Sequence, residues 1–152
     1  ITHHFYSLWK SQKQQNKLIC FTSSSVGFFF APYSTMYGAT KAFVTHFASS
    51  FAVEAAHNGV HVCCFHPQYT KTSLYKNTER LSILDVLEKL GDTPEEVAEG
   101  IVKSCGYKLA RRDFGWYSLV CKIFTGIWFE YNFLTPITAF VMTFVPEFAK
   151  YK

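Results

Sequence analysis

Apolar positions follow two different rhythms along this chain. Lys17-Leu18-Ile19-Cys20-Phe21-Thr22-Ser23 is a short, nearly unbroken apolar run with β-branched and aromatic content, the pattern of a strand buried on both faces. A loop containing Gly27 and Pro32, from Val26 to Ser34, separates it from a helix-like run extending from Tyr37 to His57. Gly59 then precedes a second buried-strand run, Val60-His61-Val62-Cys63-Cys64-Phe65, which the breaker His66-Pro67 closes. Strand, loop, helix and strand make a βαβ unit, and its crossover predicts that the two strands are parallel.

Downstream the helical rhythm takes over. Ser73 to Arg80 is polar and loop-like, and Leu81 to Leu90 is apolar at helical spacing until Gly91 stops it. Thr93-Pro94-Glu95-Glu96 predicts a helix start with Thr93 as N-cap, Pro94 at the first position and Glu96 at the third, the helix running to about Cys105. Arg111-Arg112-Asp113 reads as a charged break before the chain turns apolar from Gly115. Ile123 to Pro146 carries a single charge, Glu130, and is rich in aromatic residues. A spanning helix needs about 20 apolar residues, and Asn132 and Pro136 interrupt this stretch. Two short interfacial helices around Pro136 are expected, with Trp116, Trp128 and Tyr131 as aromatic-belt candidates; the alternative is a helix pair covering the sheet or a dimer interface.

The candidate chemistry lies at the start of the first long helix. Tyr37 and Lys41 are four residues apart, so phenol and ammonium share one helix face. A free tyrosine has a pKa of about 10, and a neighbouring cation favours the phenolate, moving the group toward useful acid/base work. Alone, such a pair also arises where a tyrosine packs and a lysine snorkels to water. Its context is the serine cluster Ser23-Ser24-Ser25 at the end of the preceding strand and Pro67-Gln68-Tyr69-Thr70-Lys71-Thr72 after the following one.

In this order and separation the three pieces resemble the short-chain dehydrogenase/reductases. The resemblance runs from about Lys17 to Thr72 and more loosely to about Cys105. It implies an α/β fold, the C-terminal part of a Rossmann-like, doubly wound parallel sheet, here with a helical, aromatic-rich C-terminal extension. It also implies hydride transfer between a nicotinamide and a carbonyl or alcohol. The family's serine lies thirteen residues before its tyrosine, which selects Ser24; Ser23 and Ser25 are left as turn hydroxyls. Tyr37 would then exchange a proton with the substrate oxygen, and Ser24 would hydrogen-bond that oxygen where charge develops. Lys41 would lower the tyrosine pKa and bind the nicotinamide ribose. Tyr37, Lys41, Pro67, Thr70 and Thr72 form the implied cofactor set, with Thr72 and the backbone near Thr70 fixing the carboxamide. Beyond Thr72 the chain would form a substrate lid.

Two departures qualify the match. The family has Pro-Gly after the second strand, whereas Gln68 follows Pro67 here, altering the turn or adding a side-chain contact. The glycine-rich turn that seats a pyrophosphate and the Asn-Asn-Ala-Gly stretch do not occur in the chain. Ile1 to Gln15 is aromatic and amphipathic, like the end of the helix preceding the serine strand. The chain is therefore read as the C-terminal part of a longer enzyme whose nucleotide-binding half lies upstream. A competing reading is a noncatalytic, membrane-attached interaction protein that keeps part of the fold.

Composition adds detail. The hydrophobic share is 49%, enough for a core, and the aromatic share of 18% exceeds what a half-sheet needs. A formal net charge of +4 with no block of like charge argues against nucleic acid, while lysines near the tail could meet anionic headgroups. Residues 1–112 are assigned to the Rossmann-like part with its lid, and 113–152 to the hydrophobic tail. The tail and the Thr-Pro-Glu-Glu-Val-Ala helix resemble those of 3-ketodihydrosphingosine, steroid and 3-ketoacyl reductases, which implies a hydrophobic substrate. NADP is expected from a reductive role, with NAD as the alternative. A membrane surface, the cytosolic face of the endoplasmic reticulum, is the expected location, with the cytoplasm as alternative. The helix from Tyr37 to His57 is a candidate homodimer face. Cys20, Cys63 and Cys64 lie in the strand runs as small hydrophobes, and no cysteine spacing suggests zinc. His66 could approach the site, or serve as a structural strand-end histidine.

Overall fold

The computed structural model describes residues 1–12, 17–29, 32, 34–75, 82–104, 111–127, 136, 137, 140 and 144. Helix α1 (Thr2–Lys10) leads into strand β1 (Lys17–Thr22), helix α2 (Thr35–Ala56) and strand β2 (Val60–His66). Helices α3 (Ser82–Leu90) and α4 (Pro94–Ser104), strand β3 (Arg111–Asp113) and helix α5 (Trp116–Ile127) follow. The strands form one sheet in the order β1-β2-β3, and both pairings are parallel, as a crossover chain requires.

The βαβ unit falls within two residues of its expected boundaries because its signals are local: α2 begins at Thr35, and His66, read as a breaker, is the last residue of β2. β1 pairs with β2 from Lys17↔Val60 to Thr22↔Phe65. α2 lies across one face of this pair, and Ala48, Ala55, Val60, Val62 and Cys64 form the buried cluster between them. Small alanines on the helix let its axis approach the strands, while Tyr6 and Trp9 of α1 and Phe21 and Phe51 pack around the rim. Cys63 and Cys64 are buried free thiols, consistent with their reading as small hydrophobes. α1 is fixed at its middle and at its C-terminus: Asn58 Nδ2 donates to Tyr6 Oη at 2.7 Å, and the buried Lys17 ammonium donates to the Trp9 and Gln12 carbonyls.

The capping box is formed as expected. Thr93 N donates to Glu96 Oε2 at 2.8 Å, and Glu96 N donates to Thr93 Oγ1 at 3.2 Å, so two otherwise orphaned amides are satisfied reciprocally.

One expectation is corrected. Arg111-Arg112-Asp113 is strand β3, in register Cys64↔Arg111, Phe65↔Arg112 and His66↔Asp113. Three charged residues carry no strand periodicity, but the backbone pairs with β2, and Asp113 gathers cationic partners that neutralise it. The strand runs across the 112/113 division between core and tail. The interfacial helices expected around Pro136 lie outside the described residues, as do Trp128 and Tyr131. Among the described residues no helix is long and apolar enough to cross a membrane.

Candidate active site

Pairing of β1 with β2 continues past the end of β1. Ser23 N donates to the Phe65 carbonyl at 2.8 Å and Ser25 N to the Pro67 carbonyl at 3.3 Å, carrying the serine turn to the carboxyl edge of the sheet. Ser23 and Ser25 are buried, while Ser24 between them is half-exposed and makes no side-chain cap bond to the short 3-10 turn Ser25–Gly27. Ser23 Oγ is turned to α2, and Ser24 is the most exposed of the three.

The turn sits tight against α2. A Cβ on Gly27 would lie 2.7 Å from Thr45 Oγ1 and 2.9 Å from both the Lys41 carbonyl oxygen and Ser23 Oγ. Because one of these neighbours is backbone, relief requires the turn and the helix to separate. Gly27→Ala is therefore expected to cost about 1–3 kcal/mol of stability, as overpacking does. Denaturant unfolding checks this; a variant with wild-type stability would contradict it.

α2 presents Tyr37 and Lys41 one turn apart in its first two turns. Tyr37 is 39% exposed. Lys41 Nζ lies 5.7 Å from the Tyr37 ring centroid and donates to the Thr22 carbonyl at 3.3 Å, at the end of β1. The ammonium is thus anchored beside the serine turn with donors left over for a ligand. Phenol, ammonium and the Ser24 turn are held together at the carboxyl ends of parallel strands, the edge where open α/β sheets bind ligands.

Beneath this surface runs a buried polar chain. Ser23 Oγ and Thr45 Oγ1 both donate to the Lys41 carbonyl, at 2.8 and 2.9 Å, and lie 2.8 Å from each other. Thr45 Oγ1 is 2.9 Å from Nε2 of His66, whose side chain is fully buried. On the other side of the ring, Nδ1 lies 3.2 Å from Asp113 Oδ1, off the line a well-formed hydrogen bond needs. Arg111 Nε also meets Oδ1, at 3.0 Å, and Lys122 Nζ meets Oδ2 at 2.8 Å. Burial alone would raise the Asp113 pKa, but the His66 ring beside it, and then hydrogen bonds from Lys122 and Arg111, outweigh it and hold the carboxyl well below the usual range. His66 is thus a buried link between α2 and β3, the structural role foreseen as one alternative. Thr45 and Asp113 were not singled out from the sequence. Thr45 continues the Tyr37, Lys41 spacing by four more residues, a signal that could have found it; Asp113 was hidden by the reading of its segment as a break.

After β2, the loop holding Pro67, Thr70 and Thr72 leaves the same edge. Thr70 Oγ1 donates to the Gln68 carbonyl at 3.2 Å, and Thr72 Oγ1 accepts from Leu74 N at 3.4 Å. Asp92 pairs with the loop: Asp92 N donates to the Tyr69 carbonyl at 3.0 Å and Lys71 N to the Asp92 carbonyl at 2.9 Å. Burial, and then Glu88 and Asp85, push the Tyr69 phenol pKa up. Gln68, at the position of the resembled family's glycine, adds a side-chain contact, one of the two outcomes expected. Its side chain is buried against the protein.

A three-stranded parallel sheet with a crossover helix on one face and a Ser, Tyr and Lys set at its carboxyl edge defines a Rossmann-like α/β protein. The short chain dehydrogenase family matches residues 1–81, more than half of the 152-residue chain, and the chain belongs to that family. It is 32% identical over 90 residues to a dehydrogenase/reductase SDR family protein 7-like from Drosophila melanogaster, a match covering 56% of this chain and 28% of the fly protein. Its fold superposes on a short-chain dehydrogenase from Streptomyces avermitilis with a TM-score of 0.62 and 19% identity, covering 98% of this chain and 55% of that one. A short-chain dehydrogenase from Sphingobium yanoikuyae in complex with NADPH gives a TM-score of 0.52 and 26% identity, covering 63% of this chain and 36% of that one. The chain therefore spans roughly a quarter to a half of the length of these relatives.

Proposed function

We propose that this chain is the catalytic part of a nicotinamide-dependent oxidoreductase that interconverts a ketone and an alcohol on a hydrophobic substrate, completed by a nucleotide-binding half. What supports the reading is the placement of Tyr37 and Lys41 beside the serine turn at one sheet edge, in a chain of this family. The donor set suits a nicotinamide: Lys41 has ammonium protons to spare for ribose hydroxyls, and the Thr70 and Thr72 hydroxyls and loop backbone can meet a carboxamide. The bound nicotinamide supplies or accepts the hydride. Tyr37 passes a proton to the carbonyl oxygen as hydride arrives, and takes it back in reverse. Ser24 donates to the same oxygen, stabilising the charge that develops there. Lys41 lies over the phenol ring and orients it.

A hydrophobic substrate and a membrane surface are supported by α5, where Trp116, Leu119 and Ile123 are exposed at helical spacing. NADPH is the preferred cofactor in this reading, with NADH as the alternative. Pairing of two copies through α2 is supported by the exposed Phe43 and Phe47. The test is nicotinamide oxidation followed optically with long-chain and steroidal ketones, using the protein completed by its upstream half. Ketone-dependent oxidation is expected. Cofactor binding without turnover on any carbonyl would favour the noncatalytic reading.

A further inference from the structure

Gln68 is the buried polar side chain that the proposed chemistry leaves unused. It is 7% exposed, and both ends of its amide are engaged. Oε1 accepts from Tyr117 N at 3.0 Å, at the N-terminus of α5, where a helix amide would otherwise lack a partner. Nε2 donates to the Leu90 carbonyl at 3.4 Å, at the C-terminus of α3. Asp92, whose backbone pairs with Tyr69 and Lys71, lies two residues beyond Leu90. The amide orientation is fixed by chemistry, since only the carbonyl can accept from Tyr117 and only the NH2 can donate to Leu90.

Gly115 completes the arrangement. It has φ of 88°, and a Cβ there would collide with the Gln68 side chain. The helix start is thus shaped around glutamine, and the loop carrying Thr70 and Thr72 is joined through one side chain to both α3 and α5.

We propose that Gln68 is a positioning residue, a latch that ties the lid helix α3 and the C-terminal helix α5 to the loop carrying Thr70 and Thr72 and so sets that loop's affinity for the nicotinamide. The proposal rests on the assignment of Thr70 and Thr72 to cofactor binding. Glutamine takes the place where glycine would leave the turn unattached, so loop position here depends on the C-terminal segments.

Two variants of the completed enzyme test it. Gln68→Gly keeps the turn and removes both bonds. Gln68→Glu keeps the shape and the acceptor for Tyr117 but sets a carboxylate against the Leu90 carbonyl. Gln68→Gly is expected to raise the KM for the nicotinamide about tenfold with kcat changed less than about threefold, a split that lost folding alone does not produce. Amide exchange should quicken about tenfold at residues 69–72, 90–92 and 117 and stay unchanged in β1, β2 and α2. Gln68→Glu is expected to raise the same KM while Tyr117 remains protected. Faster exchange with an unchanged KM, or no change in exchange, overturns the latch. Thr72→Ala separates the two ideas: if it raises the KM and Gln68→Gly does not, the latch alone is wrong. If neither raises it, the loop assignment fails and the latch with it.

Discussion

Tyr37→Phe is expected to lower turnover by about 100- to 10,000-fold, the range a positioned general acid contributes. Nothing else need change. Phenylalanine keeps the ring beside Lys41, whose ammonium is held by the Thr22 carbonyl and not by the phenol oxygen. The contacts proposed between that ammonium and a nicotinamide would therefore survive, and the dissociation constant for the nicotinamide should stay within about twofold of wild type, isolating the loss in the chemical step. Residual rate would come from Ser24, which still polarises the carbonyl. Single-turnover kinetics and cofactor fluorescence titration read the two quantities separately. Turnover equal to wild type would remove Tyr37 from the reaction.

The second large effect is on stability. Asp113 offers one carboxylate to His66, Arg111 and Lys122, and its side chain is 11% exposed. Breaking a buried ionic group costs about 3–5 kcal/mol, but Arg111 and Lys122 both reach solvent, which screens the loss. Asp113→Ala is accordingly expected to cost about 2 kcal/mol at neutral pH, lowering the unfolding midpoint by roughly 4–8 °C for a chain of this size. The pH dependence has a definite sign. The folded pKa of Asp113 lies below its unfolded value of about 3.9, so its contribution is complete above that value and fades as pH falls toward the folded pKa. The gap between wild type and variant should be widest above about pH 5 and narrow below about pH 4. A gap constant across that range, measured by denaturant unfolding, would show that the carboxylate charge is not the source.

Much of the fold and the site was legible because its signals are local. The runs Lys17 to Thr22 and Val60 to Phe65 are unbroken in the way buried parallel strands must be, and Thr93 with Glu96 spells a cap that the structure forms. That Tyr37 and Lys41 share a helix face follows from helix periodicity, whereas Ser24 was singled out only by the resemblance to the family. β3 was not legible, because a three-residue strand of charged side chains has no apolar alternation to read and takes its identity from β2 beside it. The reach of Gln68 was not legible either. Its partners lie 22 and 49 residues away in sequence, and only the folded chain brings them together. Asp113 and His66, 47 positions apart by number, meet for the same reason: they are register partners on adjacent strands.

In the proposed reaction, Tyr37, Ser24 and Lys41 carry out hydride-linked proton transfer at the carboxyl edge of this sheet. The most direct measurement uses the completed enzyme, a ketone substrate and nicotinamide carrying deuterium on the transferable position of C4. Mass spectrometry of the alcohol product would show one deuterium on the carbinol carbon with the wild-type protein, and almost none over the same interval with Tyr37→Phe. Product formed equally by both proteins, or alcohol without carbon-bound deuterium, would contradict the assignment.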